Sequence, residues 1–153
     1  GMATSIVTNG YYFTEKEGEK FLKNYGQYID WIGISLDSGV EDVELQLGRG
    51  HGDHVEKVKN AVKLIKQEYP NIKLKIHTTI TKLNWQEDMH DIINNLSPDR
   101  WKVFQVKIIE GINDNESNLG ITKEEFDSFT NRHKDLNPIG EDNNLMIDSY
   151  LMI

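Results

Sequence analysis

Five short runs rich in β-branched and aromatic residues alternate with four stretches of helical period, and the connections between them are short. This alternation constrains the fold more than any other feature. A parallel strand pair needs a long crossover to return the chain to the same end of the sheet, and a helix is the usual crossover. The five strand-like runs are residues 5–10, 31–38, 72–80, 98–111 and 145–153. The first closes on Asn9-Gly10, read as a strand-to-helix turn. The first helix is expected from Thr14, with Glu17 in capping-box position, to about Gly26, placing Phe21, Leu22, Tyr25 and Ile29 on one face. The second is capped by Asp53 and stopped by Pro70, with Val55, Val58, Val62 and Ile65 inward. A third spans 84–96, with Trp85, Met89, Ile92 and Ile93 inward. A fourth starts at the Thr122/Glu125 capping box, buries Phe126 and Phe129, and is broken by Pro138-Ile139-Gly140. Residues 39–52 read as an acidic and then glycine-rich connection.

The strands are two-faced. Ile32, Ile34 and Leu36 alternate with Gly33, Ser35 and Asp37. Ile72, Leu74, Ile76 and Ile80 alternate with Lys73, Lys75, His77 and Thr79. In the fourth run Arg100, Lys102 and Lys107 interrupt what a buried parallel strand would keep apolar. Either these cations reach solvent at edges and ends, or an anion repays their desolvation. An open doubly wound sheet and part of a (β/α) barrel both fit. The polar faces favour the partial barrel, with apolar faces on the helices and polar faces lining a lumen. Ligands in either fold sit at the carboxyl ends of the strands, here at Asn9, Ser35, Asp37, His77 and Thr79.

Composition narrows the function. The chain of 153 residues is read as one α/β domain over 3–153, with Gly1-Met2 as a tag remnant and start methionine. A net charge of -8 argues against a nucleic-acid partner. No apolar run approaches the roughly 18 residues of a membrane span, and the first residues do not read as a signal peptide, so a cytoplasmic protein without a membrane partner is expected. With no cysteine, the chain offers no disulfide and no thiolate for a metal or cluster.

Several segments resemble the viperin-like radical S-adenosylmethionine family. They are Ser5-Ile6-Val7-Thr8-Asn9-Gly10, Asn24-Tyr25-Gly26, Ile34-Ser35-Leu36-Asp37-Ser38, Gly48-Arg49-Gly50, Lys75-Ile76-His77, Arg100-Trp101-Lys102-Val103-Phe104-Gln105, Glu110-Gly111, Arg132-His133-Lys134 and Asp148-Ser149-Tyr150-Leu151. The resemblance implies parallel β/α units forming part of an incomplete (β/α)6 TIM-like barrel. It implies that Asn9, Ser35, Asp37 and Arg49 bind S-adenosylmethionine. It implies that Lys75, His77, Arg100 and Lys102 bind a nucleoside triphosphate, CTP or a related one, with His77 standing where the family usually has asparagine. In the family a [4Fe-4S] cluster reduces S-adenosylmethionine, and the deoxyadenosyl radical abstracts a ribose hydrogen. This chain lacks the family's three-cysteine loop and Gly-Gly-Glu segment, so it reads as a fragment, unable to bind the cluster and inactive alone.

Other patterns carry less. His51, Asp53 and His54 are close in sequence, but without a third partner of known position they read as a solvated cap and not as a metal site. His90 and His133 read as surface residues, and Trp31, Trp85 and Trp101 as packing. Ser35 and Asp37 have no histidine in readable relation to them. Two other readings stay open: a non-catalytic nucleotide- or phosphate-binding module, and a structural half-barrel that self-associates through an exposed edge.

Overall fold

A computed structural model describes residues 2–108 and 118–141. Strands β1 (Ser5–Thr8), β2 (Trp31–Ser35), β3 (Lys73–Ile80), β4 (Arg100–Gln105) and β5 (Ile139–Glu141) form one sheet, ordered β1-β2-β3-β4-β5, with every pair parallel. The α/β class read from the alternation is therefore correct. Spatial order equals chain order, so the chain never reverses direction across the sheet as a doubly wound fold does.

The fifth strand differs from expectation. Residues 139–140, read as a helix break, pair with β4 through Lys102↔Ile139 and Val103↔Gly140. Pro138 lacks an N–H and ends helical bonding, and the chain beyond it takes up the free edge of β4. The strand expected at 145–153 lies outside the described residues.

Register sorts the side chains. One row runs Thr8–Ile34–Ile76–Trp101 and the next row on the same face joins Thr78 to Val103. Ile32, Ile34, Leu74, Ile76, Ile80, Trp101 and Val103 are buried there in one core with Val58, Val62, Ile65, Phe126 and Phe129 of the helices. Period-2 burial of this kind lets an alternating sequence specify its own register.

The helices follow the pattern with instructive exceptions. A 3-10 turn (Tyr11–Thr14) precedes α1 (Lys16–Tyr25), so the helix starts two residues after Thr14. Thr14 Oγ1 instead donates to the Tyr11 carbonyl at 2.8 Å, and the Thr14/Glu17 capping box is not made. Leu22 and Ile29 are buried as expected, but Tyr25 is exposed and Ile29 lies beyond the helix. Within the supposed connection 39–52 lies a short helix, α2 (Glu41–Gln46). Helix α3 (His54–Glu68) matches expectation at both ends. Asp53 holds its N-cap position without a side-chain capping bond. The carboxylate of Glu41 caps α3 instead, accepting from Val55 N–H at 3.1 Å and Glu56 N–H at 3.0 Å. Helix α4 (His90–Leu96) starts six residues later than Asn84, because Asn84 Oδ1 accepts from Thr81 N–H and closes a turn there. Helix α5 (Lys123–Arg132) begins at the expected reciprocal Thr122/Glu125 box.

Candidate functional site

The opposite face of the sheet carries the other rows. Val7, Gly33, Lys75 and Arg100 share one row, and Ser35, His77, Lys102 and Ile139 share the next. All four residues read as a nucleotide site thus stand on adjacent strands in two consecutive rows of one face. Lys75, His77 and Lys102 are half-buried and Arg100 is exposed.

Trp31, which the sequence placed in packing, belongs to this face. Lys75 Nζ and the Arg100 guanidinium carbon each lie 4.6 Å from its ring centroid, and Lys73 Nζ lies at 5.3 Å. Each such contact is worth about 0.5–1 kcal/mol at an exposed site. The ring draws together cations that would otherwise repel. In a chain of net charge -8 this is a local positive patch, suited to a polyanion. His77 stacks edge-on against Phe104, with centroids 5.5 Å apart. A Cβ on Gly33 would meet the His77 ring at 3.1 Å, so the imidazole leans over the bare backbone of the next strand.

The second predicted group lies at the carboxyl ends of β1 and β2. Asp37, just past β2, is buried. Its Oδ1 accepts from Thr79 N–H at 2.7 Å and its Oδ2 pairs with Arg49 Nε. Asp37 and Arg49 therefore meet, and the guanidinium keeps its other N–H donors. Ser35 is close by, on the row of His77. Asn9 is exposed one residue beyond β1, and its Oδ1 accepts from Tyr11 N–H at 3.1 Å. Gly10, at φ 81°, makes the turn that follows, and a Cβ there would stand 3.0 Å from Ile34.

A buried polar network beneath Asp37 was not legible in the sequence. Glu44 of α2 is fully buried. Its Oε1 accepts from Asp37 N–H at 2.6 Å and Ser38 N–H at 2.5 Å, which fixes the loop after β2. Its Oε2 has no hydrogen-bond partner among the described residues and lies 3.6 Å from His54 Nε2. Burial pushes the Glu44 carboxyl up to about 7, opposed by the Ser38 N–H bond and reinforced by the charge of Asp37. His54 Nε2 also sits 3.0 Å from the Ser35 carbonyl. On the other side Glu87 binds Ser38 Oγ at 2.6 Å and Gly39 N–H at 2.8 Å, and burial raises its pKa. Asn84 Nδ2 donates to the carbonyls of Asp37 (2.6 Å) and Thr79 (2.9 Å).

Two histidine readings need correction. His54 is no solvated cap: it is buried against Ser35 and Glu44, while His51 is exposed. His133 is fully buried, packed between Phe129 and Trp101 with centroids at 4.3 and 5.4 Å, and His90 is half-buried. Trp101 is in the core as expected, and Lys107, past the end of β4, is exposed. No described helix is long and apolar enough to cross a membrane.

No family model matches the chain. Curated proteins do. A Flammeovirga pacifica protein named S-adenosylmethionine-dependent nucleotide dehydratase is 38% identical over 157 aligned residues, covering all of this chain and 52% of that protein. One of the same name from a Thermoplasmatales archaeon is 34% identical, covering 99% of this chain and 54% of its own length. The Danio rerio protein named S-adenosylmethionine-dependent nucleotide dehydratase RSAD2 is 36% identical, with 99% and 43% covered. The chain spans about half the length of the curated relatives it matches. At 34–38% identity the whole chain is thus homologous to about half of each of these proteins, which are named S-adenosylmethionine-dependent nucleotide dehydratases (viperin/RSAD2).

Proposed function

We propose that this chain is the nucleotide-binding part of a viperin-like enzyme acting on a nucleoside triphosphate, CTP or a related one, and that its sheet is a section of an incomplete (β/α)6 barrel. The carrying observation is the cation face: Lys75 and Arg100 in one row, His77 and Lys102 in the next, with Trp31 beside them. Strand order equal to chain order supports the barrel, since uniform right-handed crossovers then put every helix on one side and leave the other face as a concave floor. Lys75, Arg100 and Lys102 bind the phosphates, and His77, steadied by Phe104, meets the nucleoside.

The donors at the carboxyl edge suit S-adenosylmethionine. The Arg49 guanidinium matches its carboxylate, and Asp37, Asn9 and Ser35 offer oxygens to ribose hydroxyls. Bound S-adenosylmethionine supplies the radical chemistry of such enzymes, abstraction of a ribose hydrogen. This chain's residues orient the two ligands along one strand direction, S-adenosylmethionine at the edge and phosphates on the floor. An iron–sulfur cluster is not held by these residues, because the chain has no cysteine. The edge of β1, where Val7 is 61% exposed, pairs with a further polypeptide, either more of a longer protein or a second copy.

Calorimetric titration of CTP into the chain tests the reading. Weak binding is expected, with a Kd on the order of 1 mM. Lys75→Ala, Arg100→Ala and Lys102→Ala should each weaken it about fivefold, and tripolyphosphate should compete. Absence of binding, or binding unchanged in Lys75→Ala and Lys102→Ala, overturns it. A non-catalytic phosphate-binding module would use the same residues. It is favoured over the enzyme reading if S-adenosylmethionine neither binds nor protects Arg49 and Asp37 from amide exchange.

A further inference from the structure

On the helix side of the sheet, away from the cation face, a second cluster of ligand-type groups forms where the start of α4 meets the end of α5. Asp88 Oδ1 lies 2.5 Å from His90 Nδ1 and 3.7 Å from His133 Nε2. One donor atom from each of Asp88, His90 and His133 can be chosen so that all lie within 4.8 Å of one another. Among the described residues no other His, Asp and Glu grouping comes together in this way. We propose that Asp88, His90 and His133 bind a divalent transition-metal ion of the zinc class, with Asp135 as the outer carboxylate that orients His90.

The far nitrogens of the two rings carry the argument. His133 Nδ1 lies 2.8 Å from the Phe129 carbonyl, an acceptor only, so Nδ1 holds the proton and Nε2 holds the lone pair. His90 Nε2 lies 3.0 and 3.2 Å from the two oxygens of Asp135, which fixes its proton there and turns Nδ1 inward. His133 Nε2 thus presents a lone pair toward the site, whereas His90 Nδ1 donates to Asp88 Oδ1 in the metal-free chain and gives up that proton to a metal. Metal-bound histidines have this arrangement, with the remote N–H on a carbonyl or carboxylate. Two imidazoles and one carboxylate are a zinc-type donor set that leaves a position for water. The ring of His133 is locked by Phe129 and Trp101, and the rings of His90 and His133 lie 4.9 Å apart at 30°. Metal binding displaces two bonds, the donation of Met89 N–H to His133 Nε2 at 3.0 Å and that of His90 Nδ1–H to Asp88 Oδ1 at 2.5 Å. The site would clip α4 to α5. It is independent of nucleotide binding, since none of its residues is on the open face.

Zinc chloride titrated into the purified chain tests this by calorimetry and by thermal melting. One equivalent should bind with a Kd on the order of 10 µM and raise the melting temperature. Cobalt(II) should give a visible absorption band that zinc removes. Asp88→Asn and His90→Ala, both at positions that leave His133 and the core in place, should abolish the site. Asp135→Asn should weaken it about tenfold. Binding of zinc that is unchanged in Asp88→Asn and His90→Ala, or no zinc binding tighter than about 1 mM, overturns the proposal.

Discussion

Glu44 shows how one residue carries consequences that hydropathy hides. Its ordinary pKa is 4.5, and burial holds it near 7, so the folded state binds a proton more tightly than the unfolded state. Stability from this group is complete below about pH 4.5 and is lost as pH rises toward 7, at most about 3 kcal/mol. Glu44→Gln keeps an Oε1 acceptor for Asp37 and Ser38 N–H and removes the titration. Urea unfolding of the variant between pH 5 and 8 should therefore show a flatter stability profile than the parent. Glu44→Ala should lose the loop clamp at every pH, by about 2 kcal/mol, because two buried N–H groups lose their acceptor. A pH slope unchanged in Glu44→Gln would show that the carboxyl ionises normally. No residue reading could have found this. Glu44 sits in an acidic hexapeptide with no apolar stripe, and its partners, the loop after β2 and His54, lie outside its own helix. His133 was missed for a related reason, since its burial comes from Trp101 on another element. Lys75, His77, Arg100 and Lys102 were legible because strict alternation and parallel pairing put them on one face.

At the scale of elements, two helix starts are held in different ways and should respond differently. Helix α5 has its own reciprocal box, so Thr122→Ala should cost about 1 kcal/mol. Helix α3 relies on Glu41 from the preceding short helix, although Asp53 stands at its N-cap. Glu41→Ala should cost about 1 kcal/mol and Asp53→Ala clearly less, as read from urea midpoints at constant slope. Equal costs would return the cap to Asp53. The Thr122 box could be read from sequence because its partners are three residues apart. The α3 cap could not, because its carboxylate arrives from 14 residues upstream. The same distinction explains the late start of α4. Asn84 has side-chain bonds to Thr81, Asp37 and Thr79, and these outweigh its place in an apolar helical pattern. The three-residue β5 was missed because a segment so short carries no period.

For the whole molecule, the sheet has two edges among the described residues, β1 and β5. Among the described residues β1 pairs only with β2, and Val7 projects from it into solvent. Light scattering across protein concentration should show association, and Val7→Lys should reduce it, since a charge on an edge strand opposes strand addition. A monomer at all concentrations would remove the second copy as the occupant of this edge. The fold class was visible in the alternation of elements, whereas the identity of the last strand was not. Strand order has one further consequence. Each strand pairs with the one synthesised just before it, so no strand must wait for a distant partner. The sheet can extend as the ribosome releases the chain, each β/α unit docking on a surface already present, which shortens the time that unpaired edges are exposed to other nascent chains.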